Sequence, residues 1–204
     1  MKNLLTIATA LTLLALPACG HDDDEGHDHG DENEVITSVI LSFTPAAGGA
    51  ATVFEADDPD GDGGDAPIID DIVLAPGSYT LAVSFENRLE DPPEDITEEV
   101  DDESDEHQLF FTGSGVNGPA ADNAGAPLEH AYADTDGDGN PIGLANTMDV
   151  VVGTGDLIVT LRHLPPVNDA VTKVSDLAAQ VKASGLGGIG GTSDAQVMFP
   201  VNVQ

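Results

Sequence analysis

The chain is 204 residues long, and 38 acidic residues against five lysines and arginines give it a formal charge of −33 at neutral pH. Such a polyanion is repelled by phosphate, which excludes nucleic-acid binding, and by anionic headgroups, so a membrane can hold it only through something apolar. Its single cysteine excludes an internal disulfide, and its length suits one domain with room for a tail.

The first element is a short apolar run, Leu4 to Leu16, that follows the positive charge of Lys2 and is interrupted only by threonine. A permanent membrane helix needs about 20 apolar residues, so this run reads as a secretory signal peptide. It ends in Leu16-Pro17-Ala18-Cys19, which resembles the lipobox of bacterial lipoproteins. That resemblance implies a signal peptide over residues 1–18, cleavage before Cys19, and acylation of Cys19. Each buried lipid methylene contributes about 0.8 kcal/mol, and stable anchoring takes more than one chain. Loss of residues 1–18 removes Lys2 and no acid, which moves the charge from −33 to −34.

Residues 19–34 carry no apolar side chain able to join a core beyond the lipidated cysteine, and are expected to form an extended, disordered tether. His21, His27 and His29 stand there among acids, a composition that binds zinc, copper or nickel or serves simply as a soluble spacer. The acids from Asp22 onward resemble the export signal that sends Bacteroidota lipoproteins to the outer face of the outer membrane, although His21 occupies the place of the usual lysine. Cell-surface exposure is the expectation, with the periplasmic face as the alternative.

From residue 35 to 204 the pattern becomes that of strands with turn residues between them. Val39, Leu41 and Phe43 define a first strand; Thr52 to Ala56 and Ile68 to Leu74 are weaker runs; Tyr79, Leu81, Val83 and Phe85 give the cleanest alternation. Gln108 to Thr112, Leu128 to Ala133, Met148 to Val152, Leu157 to Leu161 and Val197 to Val203 follow, with Pro200 marking an edge or bulge. Many short strands separated by Gly, Pro and Asp predict a single all-β domain, an antiparallel β-sandwich with one or two short helical insertions; an immunoglobulin-like type is one option, and the absence of the hallmark Trp and paired Cys leaves the topology open. One insertion is expected over Asp95 to His107, opened by an Asp95…Glu98 capping pattern. The other follows the helical spacing Val171, Val174, Leu177, Val181 and ends at Gly185. Gly185 to Gly190 has the glycine spacing of a dinucleotide fingerprint but follows a helix instead of opening one, so it reads as a linker.

Two loops carry oxygen ligands at alternate positions. Asp58, Asp60, Asp62 and Asp65 form the first, and Asp134, Asp136, Asp138 and Asn140 the second. Calcium takes six to eight oxygens, and glycine lets a loop turn alternate carboxylates onto one ion. The second loop resembles the first half of an EF-hand, but Pro141 breaks the pattern and Ala145 stands where a bidentate Glu belongs. Asp and Gly are equally the residues of plain turns. His107, His130 and His163 fall near strand ends, where they complete a folded site or serve structure alone.

The lipobox, the His/Asp-rich tether, Pro93 to Val100, the Asp-Glu-His ending at His107, Leu161-Arg-His163 and the closing Phe199 to Val203 together resemble a family of Bacteroidota lipoproteins. Such proteins are sometimes given a type 1 periplasmic-binding fold; that fold needs two doubly wound α/β lobes, and these strands run on without intervening helices. No Gly-x-Ser-x-Gly elbow or catalytic triad is present, so no enzyme is expected, a polysaccharide-acting one being the least favoured class. The leading expectation is a surface-anchored lipoprotein that binds or buffers divalent metal, zinc at the tail above all, and assists an outer-membrane receptor in uptake. The alternative is an adhesion module with calcium-stabilised loops.

Overall fold

A computed structural model describes residues 34–204 apart from 62, 169 and 171. The expected signal peptide, Cys19, His21, His27, His29, Asp62 and Val171 therefore lie outside the described residues. The alternating runs become strands. In chain order these are β1 (Ser38–Pro45), β2 (Thr52–Asp57), β3 (Ile68–Ile69), β4 (Ile72–Leu74), β5 (Gly77–Asn87) and β6 (Glu94–Asp95). After helix α1 (Ile96–Asp102) come β7 (His107–Thr112), β8 (Val116–Asn117), β9 (Leu128–Tyr132), β10 (Ala145–Val150) and β11 (Gly153–His163). Helix α2 (Leu177–Ser184) precedes the last strand, β12 (Thr192–Val203).

The chain is mostly β and forms two mixed sheets. The larger, curled as a half-barrel, has the order β3-β2-β1-β5-β10-β9-β8 with β6 on β5; the smaller is β4-β12-β11-β7. One core serves both: Leu41, Phe43, Leu81 and Phe85 of the larger sheet bury with Phe111, Leu157, Leu161 and Phe199 of the smaller. Burying each such side chain contributes about 2 kcal/mol relative to exposure, so this shared seam is what holds the sheets together.

Three expectations are corrected. Pairing is not purely antiparallel, because β4 lies parallel to β12 and β8 parallel to β9. The run Ile68 to Leu74 is two strands in different sheets, since Asp70 and Asp71 interrupt it. Asp70 accepts the amide of Glu55 at 3.0 Å and stops the pairing with β2, after which Ile72 and Leu74 bury in the smaller sheet. The second helix starts at Leu177, later than the periodicity suggests, and Val174 is exposed.

Other local signals hold. Asp95 caps α1 by accepting the amide of Thr97 at 3.0 Å, and the helix buries Ile96 and Val100. Gly185 ends α2 with φ +73°, a conformation that suits glycine. β12 is an edge strand until Pro200 and becomes interior only at Val201, where β4 joins, so the missing proline N–H leaves no ladder bond unmade on that side. Residues Leu177, Ala178 and Val181 of α2 cover Phe110 on the outer face of β7, which leaves β7 buried on both faces. That double burial is what makes the start of β7 a dry place to hold a polar side chain.

Candidate metal centre

β7 opens with His107 and β11 closes with His163, and the register sets the two residues directly opposite each other. Period-two alternation turns both toward the core, His107 continuing the row of Leu109 and Phe111, and His163 that of Leu157, Val159 and Leu161. The rings stack with centroids 4.8 Å apart and planes 12° apart, and both side chains are buried.

Asp194 arrives by a different device. β12 pairs Ala195 with Leu161 but Ser193 with Arg162, so Asp194 is the extra residue of a β-bulge. A bulge takes a side chain out of the strand's alternation. In regular register Asp194 would share the outer face with exposed Gln196 and Met198. Instead its side chain is fully buried, with Oδ2 3.7 Å from Nε2 of His107. Neither carboxylate oxygen of Asp194 has a hydrogen-bond partner, and neither does Nε2 of His107 or of His163.

The turn after α1 supplies the other wall. The backbone carbonyl of Glu103 lies 3.2 Å from Nδ1 of His107; a carbonyl only accepts, so Nδ1 carries the proton and Nε2 of the neutral ring presents its lone pair. A carboxylate oxygen of Glu103 and one ring nitrogen from each histidine lie within 4.8 Å of one another. Glu106 adds Oε2 at 3.4 Å from Nε2 of His163.

Electrostatics agree with this geometry. Burial, reinforced by the neighbouring His163, pushes His107 down to about 4, so it is neutral near pH 7 as a metal ligand must be. Burial pushes Asp194 up to about 6 despite the pull of His163 and Arg162. Burial and then the Glu99 carboxyl push Glu34 up to about 8, with Glu103 and Asp194 adding to the effect. The carboxyl groups of Asp194 and Glu34 are thus gathered beside the neutral ring of His107.

Imidazole with carboxylate is a donor set for zinc and neighbouring divalent ions. Ligand atoms of a tetrahedral zinc site stand about 3.3 Å apart, given bonds of about 2.0 to 2.1 Å. The His107–Asp194 spacing of 3.7 Å is close to this, and the wider Glu103–histidine group closes by about 1.5 Å at most from 4.8 Å.

In the two Asp/Gly loops the carboxylates accept nearby backbone amides. In the second, Asp134 accepts the amides of Gly143 at 2.8 Å and Ala145 at 2.7 Å. Asp136 accepts the amides of Asp138 at 3.0 Å and Asn140 at 2.8 Å through Oδ1, and the side-chain amide of Asn140 through Oδ2. The same Oδ2 lies 2.9 Å from Nζ of Lys173, in an ion pair whose two side chains are almost wholly buried. Lys173 thus neutralises Asp136, and also donates to the carbonyl of Ser104 at 2.6 Å. Asp138 is exposed and Asn140 half-buried. In the first loop Asp60 accepts the amide of Asp65 at 3.2 Å, and Asp65 is exposed. Asp58 has Oδ1 buried without a partner.

His130 stays apart from the histidine pair. It packs between Phe111 and Tyr132 and donates from Nε2 to Oδ1 of Asn146 at 2.9 Å, a structural role. Burial lowers it from 6.5 to about 4, so between these values the unfolded chain binds more protons than the folded one. Its contribution is whole above pH 6.5 and lost as pH falls toward 4, a difference of about 3 kcal/mol. Urea unfolding at pH 7.5 and 4.5 should therefore show a smaller loss in His130→Gln than in the native protein, by about 2 kcal/mol. An identical loss in both would rule this out.

His107 and His163 were visible as candidates in the sequence, whereas Asp194 and Glu103 were not, because simple alternation puts Asp194 on the outer face. No described helix is long and apolar enough to cross a membrane. Compared with known proteins, the chain finds no matching family, no matching curated protein and no matching solved structure.

Proposed function

We propose that this is a lipid-anchored extracytoplasmic protein whose β-sandwich binds a divalent transition-metal ion, zinc being the reference case, between His107, His163, Glu103 and Asp194. The observation that supports the reading is the fully buried carboxylate of Asp194, unpartnered beside the unpartnered Nε2 of His107. An unpaired buried charge costs several kcal/mol, and a fold retains one where a cation completes it. Anchoring rests on the signal-like segment and on Cys19, and the acids behind Cys19 favour the outer face of the outer membrane. In that position the protein holds or buffers metal for an outer-membrane uptake receptor. The tether histidines His21, His27 and His29 add weak, mobile capture. The calcium-loop alternative has less support, because Lys173 already neutralises Asp136.

Titration calorimetry with zinc separates the folded site from the tail. The mature chain and the same chain with His21, His27 and His29 replaced by serine should both show one tight site, with Kd on the order of 1 μM or below. The serine variant should lose only weak additional heat. Absence of any saturable zinc heat in that variant would reject the folded site.

A further inference from the structure

A site as buried as this one needs an entry path, and of the two described cavities that Asp194 lines, the more acidic one is the better suited to a cation. The space of about 580 Å³ between the first Asp/Gly loop and the start of β12 is lined by Glu34, Thr37, Asp58, Asp60, Ser193 and Asp194, among others. We infer that this acidic cavity is the route by which a hydrated divalent cation reaches the His107/His163 pair, with Asp58 and Asp60 drawing it in and Asp194 receiving it. The inference rests on the metal-binding reading above.

Asp194 is the shared wall. It lines the cavity, its side chain is fully buried, both its oxygens lack partners, and one of them lies 3.7 Å from the imidazole of His107. Asp58 lines the same cavity and has its own oxygen, Oδ1, buried without a partner. Two unsatisfied carboxylates on one cavity have no use to each other, since like charges repel; each is suited to a cation passing between them.

The ionisable side chains that line the cavity are all acids, of which Glu34, pushed up to about 8, is protonated near pH 7. The described lining holds four acids and no lysine, arginine or histidine. Two guanidiniums stand nearby: Arg88 is committed to Glu55, to Asp57 at 3.0 Å and to Glu86 at 2.8 Å, and Arg162 donates to the lining residue Ser193 at 3.1 Å and to the carbonyls of Gly190 and Gly191 at 2.6 Å. A concave, low-dielectric surface of one charge focuses its field and raises the local concentration of counter-ions. Size is permissive too: an ion with six waters, each taking about 30 Å³, needs about 180 Å³.

Stopped-flow association of zinc with the serine-substituted chain is the test. Asp58→Asn with Asp60→Asn should slow association about tenfold at low salt, with the gap narrowing as salt rises. Removal of two exposed charges that do not line the cavity, Asp122→Asn with Asp138→Asn, should leave the rate within about twofold. Val35 lines the cavity and is 53% exposed, so Val35→Trp obstructs it without touching the core. That variant should slow association and dissociation alike, with Kd unchanged, which a change in fold or affinity would not do. Zinc binding at native rates in both cavity variants overturns the route and leaves the metal site standing. Failure of the parent chain to bind zinc overturns both.

Discussion

Replacing His107 and His163 together with alanine is expected to weaken zinc binding at least a hundredfold and to abolish the rise in melting temperature that zinc confers on the native protein. Each histidine supplies one nitrogen, and no neighbouring backbone group takes over as a donor; loss of even an outer-shell partner commonly costs tenfold to a hundredfold. Zinc at a hundred times its Kd stabilises the native state by about 2.7 kcal/mol, so the lost shift is readily measured. Asp194→Asn gives the sharper diagnosis, because it separates function from stability. It removes a buried charge that has no partner in the metal-free protein, so the apo form should become more stable by about 2 kcal/mol while zinc affinity falls. For a domain of this size that is a rise of roughly 5 °C in melting temperature. Thermal scans with and without zinc measure both effects. A variant that is destabilised as apo protein, or that keeps native zinc affinity, would show that Asp194 serves the fold instead of the ion.

The second large effect concerns Lys173. Its ammonium and the carboxylate of Asp136 are buried together at 2.9 Å, and Lys173→Met leaves that carboxylate without its counter-ion. Breaking a buried pair from one side costs about 3 to 5 kcal/mol. Asp136→Asn keeps an acceptor for the amides of Asp138 and Asn140 but strands the lysine, at a similar cost. The double variant removes both charges, so its loss should fall short of the sum of the two by about 2 to 3 kcal/mol in urea unfolding. Strict additivity would mean the pair is not energetically coupled. Because Lys173 already neutralises Asp136, millimolar calcium should leave the melting temperature of the native protein unchanged; a clear rise would restore the calcium-loop reading.

The sequence by itself determined the strands, since alternation of period two depends only on which side chains avoid water. Val39 to Phe43, Tyr79 to Phe85 and Leu157 to Leu161 needed nothing else. It also determined both helix ends that matter, Asp95 and Gly185, because a cap and a positive φ are local requirements. The proposed lipobox ending at Cys19 is likewise a local pattern, carried by residues outside the described structure. Tertiary structure decided the rest. Ile68 to Leu74 reads as one run along the chain, and only the competing demands of two sheets divide it at Asp70. The Asp134–Asn140 loop reads as a run of free carboxylates, and only the tertiary structure brings Lys173, more than thirty residues further on, to pair with Asp136. The candidate centre is the clearest case: His107 and His163 are 56 positions apart, and it takes strand register to stack them. Asp194 belongs by simple alternation on the outer face, and one bulged residue in β12 turns it inward. A register shift arises from pairing between strands, so no pattern within a single strand records it.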